Sequence, residues 1–229
     1  EAVRAGFRQL AHTLRELRRY RNVATYLVAR MIYNDGKTAV LVFGGVYAAG
    51  IFGWDSLTMT MFGIALSVFA VFGGFVGGWL DDTFGSKRAI LLSIGGTSLG
   101  LVLAVSITPD QLFFFLPVDR AAPRVWSLPF FATVPELAYV GVVTLVAVFI
   151  TAAYANSRTM LARIAPPGMM TEFFGIYSLS GTSVAWIGSF TVRWFTEAFH
   201  SQRIGFSSIL IFLLLGLVGM LFVREERAA

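Results

Sequence analysis

The stretch Gly73-Gly-Phe-Val-Gly-Gly-Trp-Leu-Asp-Asp-Thr-Phe-Gly-Ser-Lys-Arg-Ala-Ile90 decides how this chain folds. A glycine-rich apolar segment ends in two acids, a turn at Gly85 follows, and a second apolar segment begins after Lys87 and Arg88. Glycines let helices approach closely in lipid, where helix association depends on packing. Basic residues keep a loop on the cytoplasmic side. The stretch therefore predicts two membrane-spanning helices joined by a short cytoplasmic hinge.

The composition indicates an integral membrane protein. Of the 229 residues, 56% are hydrophobic and only 14% are charged, whereas soluble domains are about 25% charged. The net charge of +5 does not indicate nucleic-acid binding, because the basic residues lie at the ends of apolar runs, as membrane topology requires. The chain contains no cysteine, which excludes disulfides and thiolate metal sites. We therefore expect the lipid bilayer, and no nucleic acid, as a partner.

Six segments are predicted to span the membrane, each close to the ~20 apolar residues that a spanning helix needs. They cover residues 22–52, 57–80, 89–107, 136–155, 172–195 and 204–223. Residues 1–21 form a basic amphipathic helix, which either lies on the cytoplasmic membrane surface or serves as a soluble linker. A long proline-rich outer loop separates the third span from the fourth, and residues 224–229 form a cytoplasmic tail.

The distribution of basic residues predicts the orientation. The predicted cytoplasmic segments hold twelve of the 18 Lys and Arg residues and the outer segments hold four, which places both termini in the cytoplasm. Three spans, a long loop and three more spans are typical of a transporter half built as an inverted repeat. The predicted fold class is an all-α membrane protein with six transmembrane helices in a 3+3 inverted repeat.

Small residues line one face of the second predicted span at a 4-3-4-3 spacing: Gly63, Ser67, Ala70, Gly74 and Gly77. A helix face made entirely of small residues is a helix-packing seam in membrane proteins. We expect a bulky residue at Gly74 to disrupt this packing.

The first span contains a polar insert near its middle. Four of its residues share one helix face at i, i+3, i+4 and i+7: Arg30, Tyr33, Asn34 and Lys37. Asp35 points elsewhere, and a break of the helix at Gly36 would turn it inward. Ionisable residues in spans are functional candidates because they are costly there, and broken helices form solute and ion sites in transporters. Alternatively, Asp35 only neutralises Arg30, Lys37 or a charge on a neighbouring helix.

The junction of the fourth and fifth spans supplies further candidates. Tyr154, Asn156 and Tyr177 are candidate residues of a solute cavity, and Arg158 and Glu172 are expected to form an ion pair at the membrane interface. The hydroxyl residues that follow in the fifth span are explained equally well by helix-to-helix hydrogen bonds.

Enzyme signatures are absent from the sequence. It contains no G-x-x-x-x-G-K-[ST] loop and no H-E-x-x-H motif. His12 and His200 fall on opposite sides of the membrane in the predicted topology, so they cannot share a metal or a catalytic site. We expect neither an enzyme nor a cofactor or metal.

Two sets of motifs resemble a known family. Gly78-x-Leu-x-Asp82-x-Phe-Gly85-x-Lys87-Arg88 resembles the short-loop motif of the major facilitator superfamily, although Thr83 and Ser86 replace two of its basic positions. Three further strings occur in an order and spacing that resemble the second half of the vacuolar-effluxer-like branch of that superfamily, which has bacterial members. They are Tyr33-Asn-Asp-Gly36, Ser157-Arg158 with Pro166-Pro-Gly168, and Glu172-Phe-Phe-Gly-x-Tyr177.

The resemblance implies one half of a secondary transporter that works by alternating access in a bacterial inner membrane. Its solute cavity would lie between this half and a second six-helix half, and the fungal members imply amino acids as solutes. The resemblance also implies that Asp82 latches the two halves together. Further residues of this latch would be Gly78, Gly85, Lys87 and Arg88 of the same motif, and the pair Arg158 and Glu172 at the junction of the fourth and fifth spans. If Asp35 lines the cavity with Arg30 and Lys37, it would couple transport to protons.

A different class of function stays open at the level of the sequence. The chain could be a non-transporting membrane scaffold or assembly subunit that keeps the six-helix fold. It begins with Glu rather than Met, which is compatible with a fragment or half of a longer protein. Another six spans directly upstream would favour the transporter.

Overall fold

The structure, a computed structural model, describes residues 19–119, 123–182 and 184–225. Its elements are α1 (Arg21–Phe52), α2 (Ser56–Phe84), α3 (Ser86–Ser106), β1 (Gln111–Leu112), β2 (Leu116–Pro117), α4 (Val134–Ile164), a 3-10 turn (Pro167–Met169), α5 (Met170–Thr182), α6 (Ala185–Phe199), α7 (Gln202–Ser207) and α8 (Ile209–Leu221). The predicted amphipathic helix lies, but for its last residues, outside the described ranges, and so do residues 226–229 of the tail.

Four segments are long and apolar enough to cross a membrane: α2, α3, α4 and the continuous segment Gln202–Leu221 that contains α7 and α8. The mostly helical membrane fold is thereby confirmed. Helices also occupy the positions of the first and fifth predicted spans, but α1 carries the charged insert and α5 and α6 are individually short. The arrangement of six spans in two inverted units stays a prediction.

The predicted break in the first span is wrong, because α1 is one continuous helix from Arg21 to Phe52. An unbroken helix satisfies its own backbone hydrogen bonds, which a low-dielectric interior demands. Gly36 serves close packing instead, since a Cβ there would come within 3.1 Å of Leu213 on α8. The described helices are interrupted in the fifth predicted span, where α5 ends at Thr182 and α6 begins at Ala185.

The fourth span extends further than predicted. Helix α4 continues past residue 155 to Ile164, because Pro166 and Pro167 are the first residues in this segment that cannot continue a helix. Its start is fixed by a capping box in which Thr133 and Glu136 bond each other's backbone N–H groups. Asn156 and Arg158 therefore belong to a helix rather than to a loop.

Helix packing divides the bundle into two groups. Helix α4 packs along both α2 and α3, while α1 packs along α8 and beside α5 and α6. On the α1–α8 contact, a Cβ at Gly219 would lie 2.9 Å from the Cβ of Ala29. The beginning of α1 and the residues just after α8 are joined by two hydrogen bonds of 2.7 Å between Asn22 and the backbone of Arg224.

The small-residue seam on α2 is present in a different register from the predicted one. A Cβ at Gly73 would lie 2.6 Å from the carbonyl oxygen of Val148, and one at Gly77 would lie 2.9 Å from the Cα of Ala152. Gly63 and Gly74 are exposed, and a Cβ at either would meet nothing within 4 Å. The contact with α4 thus uses the Gly73–Gly77 pair, and Gly74 is wrongly predicted to belong to it.

Gly77→Leu is expected to push α2 away from the backbone of α4 and to destabilise the protein by about 1–3 kcal/mol, the usual cost of overpacking. Thermal melting in detergent measures this loss. Gly74→Leu adds the same side chain three residues earlier, on the exposed side of α2, and is the matched control. An equal fall in melting temperature for both variants would contradict the assigned register.

Candidate functional site

The polar insert of α1 is buried inside this chain. The exposed fraction is 0% for Tyr33 and Lys37, 2% for Asp35 and 6% for Arg30 and Asn34. Tyr177 and Asn156 are also buried, whereas Tyr154 is half-buried. The predicted site residues of the first, fourth and fifth spans therefore come together, but most of them are covered by helices of the same chain rather than open to a cavity.

Arg30 contacts the end of α5. Its Nη1 donates to the carbonyl oxygen of Tyr177 at 2.5 Å and to Oγ of Ser180 at 2.9 Å. The guanidinium carbon also lies 3.3 Å from the centroid of the Tyr177 ring, a cation–π contact of the kind that stabilises a desolvated cation. Arg30 is thus held by polar and aromatic groups of α5.

Asp35 lies apart from the two cations of its own helix. Its Oδ2 accepts a hydrogen bond of 2.8 Å from the backbone N–H of Gly188, in the first turn of α6. A carboxylate at a helix N-terminus is favoured by the helix dipole. No ion pair of Asp35 with Arg30 or Lys37 is present in the described part of the chain, so the alternative in which one of these two cations neutralises Asp35 is wrong.

The second carboxylate oxygen of Asp35 is buried without a hydrogen-bond partner among the described residues. Asp35 lines a cavity of about 160 Å³ whose other walls are apolar: Met31, Ile32, Val184, Ile187, Phe212 and Leu215. An unpartnered buried oxygen in an apolar cavity is costly. It is therefore a candidate position for a proton.

Lys37 is held by aromatic rings. Its Nζ lies 3.7 Å from the ring centroid of Tyr154 and 5.0 Å from that of Tyr33. The ammonium has no hydrogen-bond partner among the described residues. Lys37 therefore keeps its donors free at the face where α1 meets α4, beside the half-buried Tyr154, whose hydroxyl lies 3.4 Å from Oγ1 of Thr38.

The sequence reasoning missed two residues of this cluster as site candidates. The hydroxyl of Tyr33 lies 2.8 Å from Oγ of Ser157, and the hydroxyl of Tyr26 donates to the carbonyl oxygen of Ser157. Tyr26 lies four residues before Arg30 and seven before Tyr33, so the periodicity of the helix face could have identified it. Asn156 is buried, and its Nδ2 has no hydrogen-bond partner among the described residues.

The hinge after α2 is built around Asp81 rather than the predicted Asp82. Asp81 accepts a hydrogen bond from Oγ of Ser86 and pairs with Arg163 at 2.8 Å. Asp82 is exposed, so its role as a latch toward a second half stays a prediction. Gly85 has a φ of +82°, a backbone conformation that glycine adopts at little cost.

Glu225 joins the same cluster at the hinge between α2 and α3. It accepts hydrogen bonds from the backbone N–H of Ser86 at 2.8 Å and of Lys87 at 3.1 Å, and from Nη1 of Arg163 at 2.8 Å. Partial burial raises the pKa of Glu225, but these hydrogen bonds outweigh it and leave the pKa below its ordinary value. The segment after α8 is thereby tied to the start of α3, where Lys87 also donates to the carbonyl of Leu221 at 2.9 Å.

Glu225→Gln is expected to lower the stability by about 2 kcal/mol at neutral pH, since hydrogen bonds to a charged group are lost. A carboxylate whose pKa is lower in the folded state stabilises the fold at neutral pH, and this contribution disappears as the pH falls through the folded pKa. Melting of parent and variant across a pH series from neutral to acidic measures it. Glu197→Gln, which removes an exposed carboxylate paired with Arg193, is the control and should change little.

The remaining predicted gating residues differ in their exposure. Gly78, Arg88 and Arg158 are exposed, and Glu172 is half-buried near the start of α5. The expected pairing of Arg158 with Glu172 stays a prediction. Among the described residues, no group of three or more His, Asp or Glu could hold a metal ion.

The family model described as "Vacuole effluxer Atg22 like" matches residues 1–229. The chain is 23% identical over 222 residues to the uncharacterized MFS-type transporter YxiO of Bacillus subtilis, covering 96% of this chain and 45% of that protein. It is also 23% identical over 225 residues to autophagy-related protein 22 of Yarrowia lipolytica, covering 98% of this chain and 35% of that protein. The chain thus spans less than half the length of these relatives.

Two solved structures share the fold. One is a bacterial homologue of the human drug peptide transporters PepT1 and PepT2, with a TM-score of 0.67 and 15% identity over 90% of this chain and 42% of that one. The other is the peptide transporter POT, an E310Q mutant in complex with sulfate. Its TM-score is 0.59, with 18% identity over 91% of this chain and 38% of that one. At these identities the likeness shows a shared fold.

Proposed function

Since the chain belongs to the family of Atg22-like vacuole effluxers, we propose that it is one half of a secondary transporter that moves a small solute across a membrane by alternating access. The observation that carries the proposal is the buried polar cluster on α1, which joins α4 and α5 inside an otherwise apolar bundle. Polar and ionisable side chains at this depth are costly, and in membrane proteins they mark solute and ion pathways.

The solute would approach where α1 meets α4. Lys37 and Asn156 have buried donors without partners among the described residues, and Tyr154 is half-buried beside Lys37. Arg30, Tyr33, Asn34 and Tyr177 would form the wall behind them. Amino acids are the first solute class to test, as the resemblance implies.

A second six-helix half would cover α2. Large apolar side chains on this helix are exposed, including Phe72, Phe75 and Trp79, and Gly63, Gly74 and Gly78 leave its outer surface open. Contiguous exposed apolar surface marks an interaction site with protein or membrane. Asp82 is exposed near the end of α2, and it would act as the latch to the second half.

Orientation in a bacterial inner membrane is part of the proposal. Lys87, Arg88 and Arg163 lie together at the end of the bundle where Glu225 is bound. Clustered basic residues favour the cytoplasmic side. Both ends of the chain would then face the cytoplasm.

Transport by the full-length protein in vesicles tests the function. A panel of labelled amino acids, short peptides and sugars is offered with and without a proton gradient, and we expect one class to accumulate. Empty vesicles and a Tyr154→Ala, Lys37→Met double variant, which removes the proposed solute contacts, are the controls. A well-inserted protein that moves no member of the panel, yet co-purifies with other membrane proteins, would support the scaffold function instead.

A further inference from the structure

The interruption of the fifth predicted span leaves two helix ends whose backbone groups need partners. Helix α5 ends at Thr182 and α6 begins at Ala185, and the residue before α6, Val184, provides no side-chain hydrogen bond. The last carbonyls of one helix and the first N–H groups of the next have no partner within their own helix. Water satisfies such groups in a soluble protein, but a membrane interior offers none.

Arg30 is located at the carbonyl end. It binds the hydroxyl of Ser180 in the last turn of α5 and, one turn earlier, the carbonyl of Tyr177, which also accepts from the hydroxyl of Ser180. A Cβ at Gly181 would lie 3.1 Å from Nη2 of Arg30, so a glycine at this position leaves room for the guanidinium. Nδ2 of Asn34 lies 3.4 Å from the carbonyl of Gly181 and adds a long hydrogen bond. The C-terminus of a helix carries a partial negative charge that a cation complements.

Asp35 is located at the opposite end. Its carboxylate accepts the N–H of Gly188 in the first turn of α6, where the partial charge is positive. Gly188 is buried, and a Cβ on it would lie 3.1 Å from Oδ1 of Asp35. The absence of a side chain there again makes room for a charged group of α1.

We propose that Arg30 and Asp35 form a dipole clamp, in which two charges of α1 hold the two ends of the interrupted helix, and that span five bends at this clamp during transport. The bending rests on the proposed function, whereas the clamp does not. Asp35 follows Arg30 by five positions along α1, which places the two side chains on different faces of the helix. Each one thus meets its own helix end, and they are positioning residues rather than solute ligands.

Hydrogen exchange of the full-length protein, followed by mass spectrometry, tests the clamp. Asp35→Ala should raise the exchange rate of amides in residues 185–190 about tenfold, since a hydrogen bond to a charged group is lost. Asp35→Asn keeps an acceptor for Gly188 and should raise it less. Arg30→Met should act on the other side of the interruption, at residues 177–182. This side-specific pattern differs from general destabilisation, which would raise exchange throughout.

Lys37→Met is the matched control, because it also removes a buried cation from α1. The ring contacts of Lys37 are with Tyr33 of α1 and Tyr154 of α4, and not with residues of α5 or α6. The variant should leave exchange at residues 177–190 unchanged. The clamp is overturned if the Lys37 variant gives the same pattern, or if neither Asp35→Asn nor Arg30→Met alters these residues. If Asp35→Ala does not fold, the asparagine variant decides.

The bend is tested by spin labels on cysteines at Ser178 and Trp194, which are exposed on either side of the interruption. We expect two distances between the labels in the parent protein, one for each conformation. The ratio of the two populations should shift when transported solute is added, and it should shift further in Arg30→Met. A single distance that solute and variant leave unchanged would overturn the bend. If the protein transports solute but the variants do not show the side-specific hydrogen-exchange pattern, the clamp is refuted and the proposed function stands. If the variants show that pattern but the protein transports nothing, the proposed function is refuted and the clamp stands.

Discussion

Asp35→Asn is expected to abolish accumulation of solute against a gradient while leaving solute exchange across the membrane intact. The carboxyl is the only titratable group lining the cavity between α1, α6 and α8 among the described residues, and its second oxygen is unpartnered. Asparagine retains the acceptor for the N–H of Gly188 but cannot bind or release a proton. Because Arg30 and Lys37 do not depend on Asp35 for pairing, the variant should fold.

Two assays on the same vesicles measure this result. Gradient-driven accumulation should fall at least tenfold, as expected when a group required for coupling is lost, and counterflow of labelled against unlabelled solute should stay near the parental rate. Asp35→Glu restores a titratable carboxyl and should recover part of the accumulation. Parental accumulation in the asparagine variant would sink the proton-coupling proposal.

Gly216→Leu is expected to prevent folding. A Cβ at Gly216 would lie 2.8 Å from the backbone nitrogen of Tyr33 and 2.9 Å from its Cα, so a leucine has to displace the backbone of α1 rather than a flexible side chain. Overpacking normally costs about 1–3 kcal/mol, and displacing a helix that carries the buried polar cluster should exceed this range.

The yield of monodisperse protein after detergent extraction measures the loss. Val218→Leu enlarges a side chain that is 48% exposed on the same helix and is expected to leave the yield unchanged. A normal yield of the Gly216 variant with parental melting would show that α1 and α8 do not meet at this glycine.

The charges of α1 were predictable, but the helix they act on was not. An insert such as Arg30-Met-Ile-Tyr-Asn-Asp35 is conspicuous in an apolar segment, so the sequence identifies it without a structure. Which helix is interrupted depends on long-range contacts, and the residues 180–182 give only a weak local signal through Ser180-Gly181. The charged residues of α1 therefore indicate that some helix packed against α1 is irregular, but they do not identify that helix.

Register is the second limit of the sequence. Gly73, Gly74, Gly77 and Gly78 all fit a small-residue pattern, and the face that meets α4 depends on a rotation of α2 of about 100° per residue. Asp81 and Asp82 differ by the same rotation, and the structure buries the first and exposes the second. Neighbouring identical residues therefore cannot be assigned to a face without knowledge of the partner helix.

The two hydrogen bonds between Asn22 and Arg224 have a mechanical consequence. They join the beginning of α1 to the residues just after α8, which run in opposite directions along one contact. A force applied through segments attached at these two points would load the contact at one end, in a peeling rather than a shearing geometry. This pair and the hydrogen bonds of Glu225 to Ser86, Lys87 and Arg163 would break first, and the α1–α8 contact would then open turn by turn at low force in a single-molecule pulling experiment, while α2, α3 and α4 stay packed.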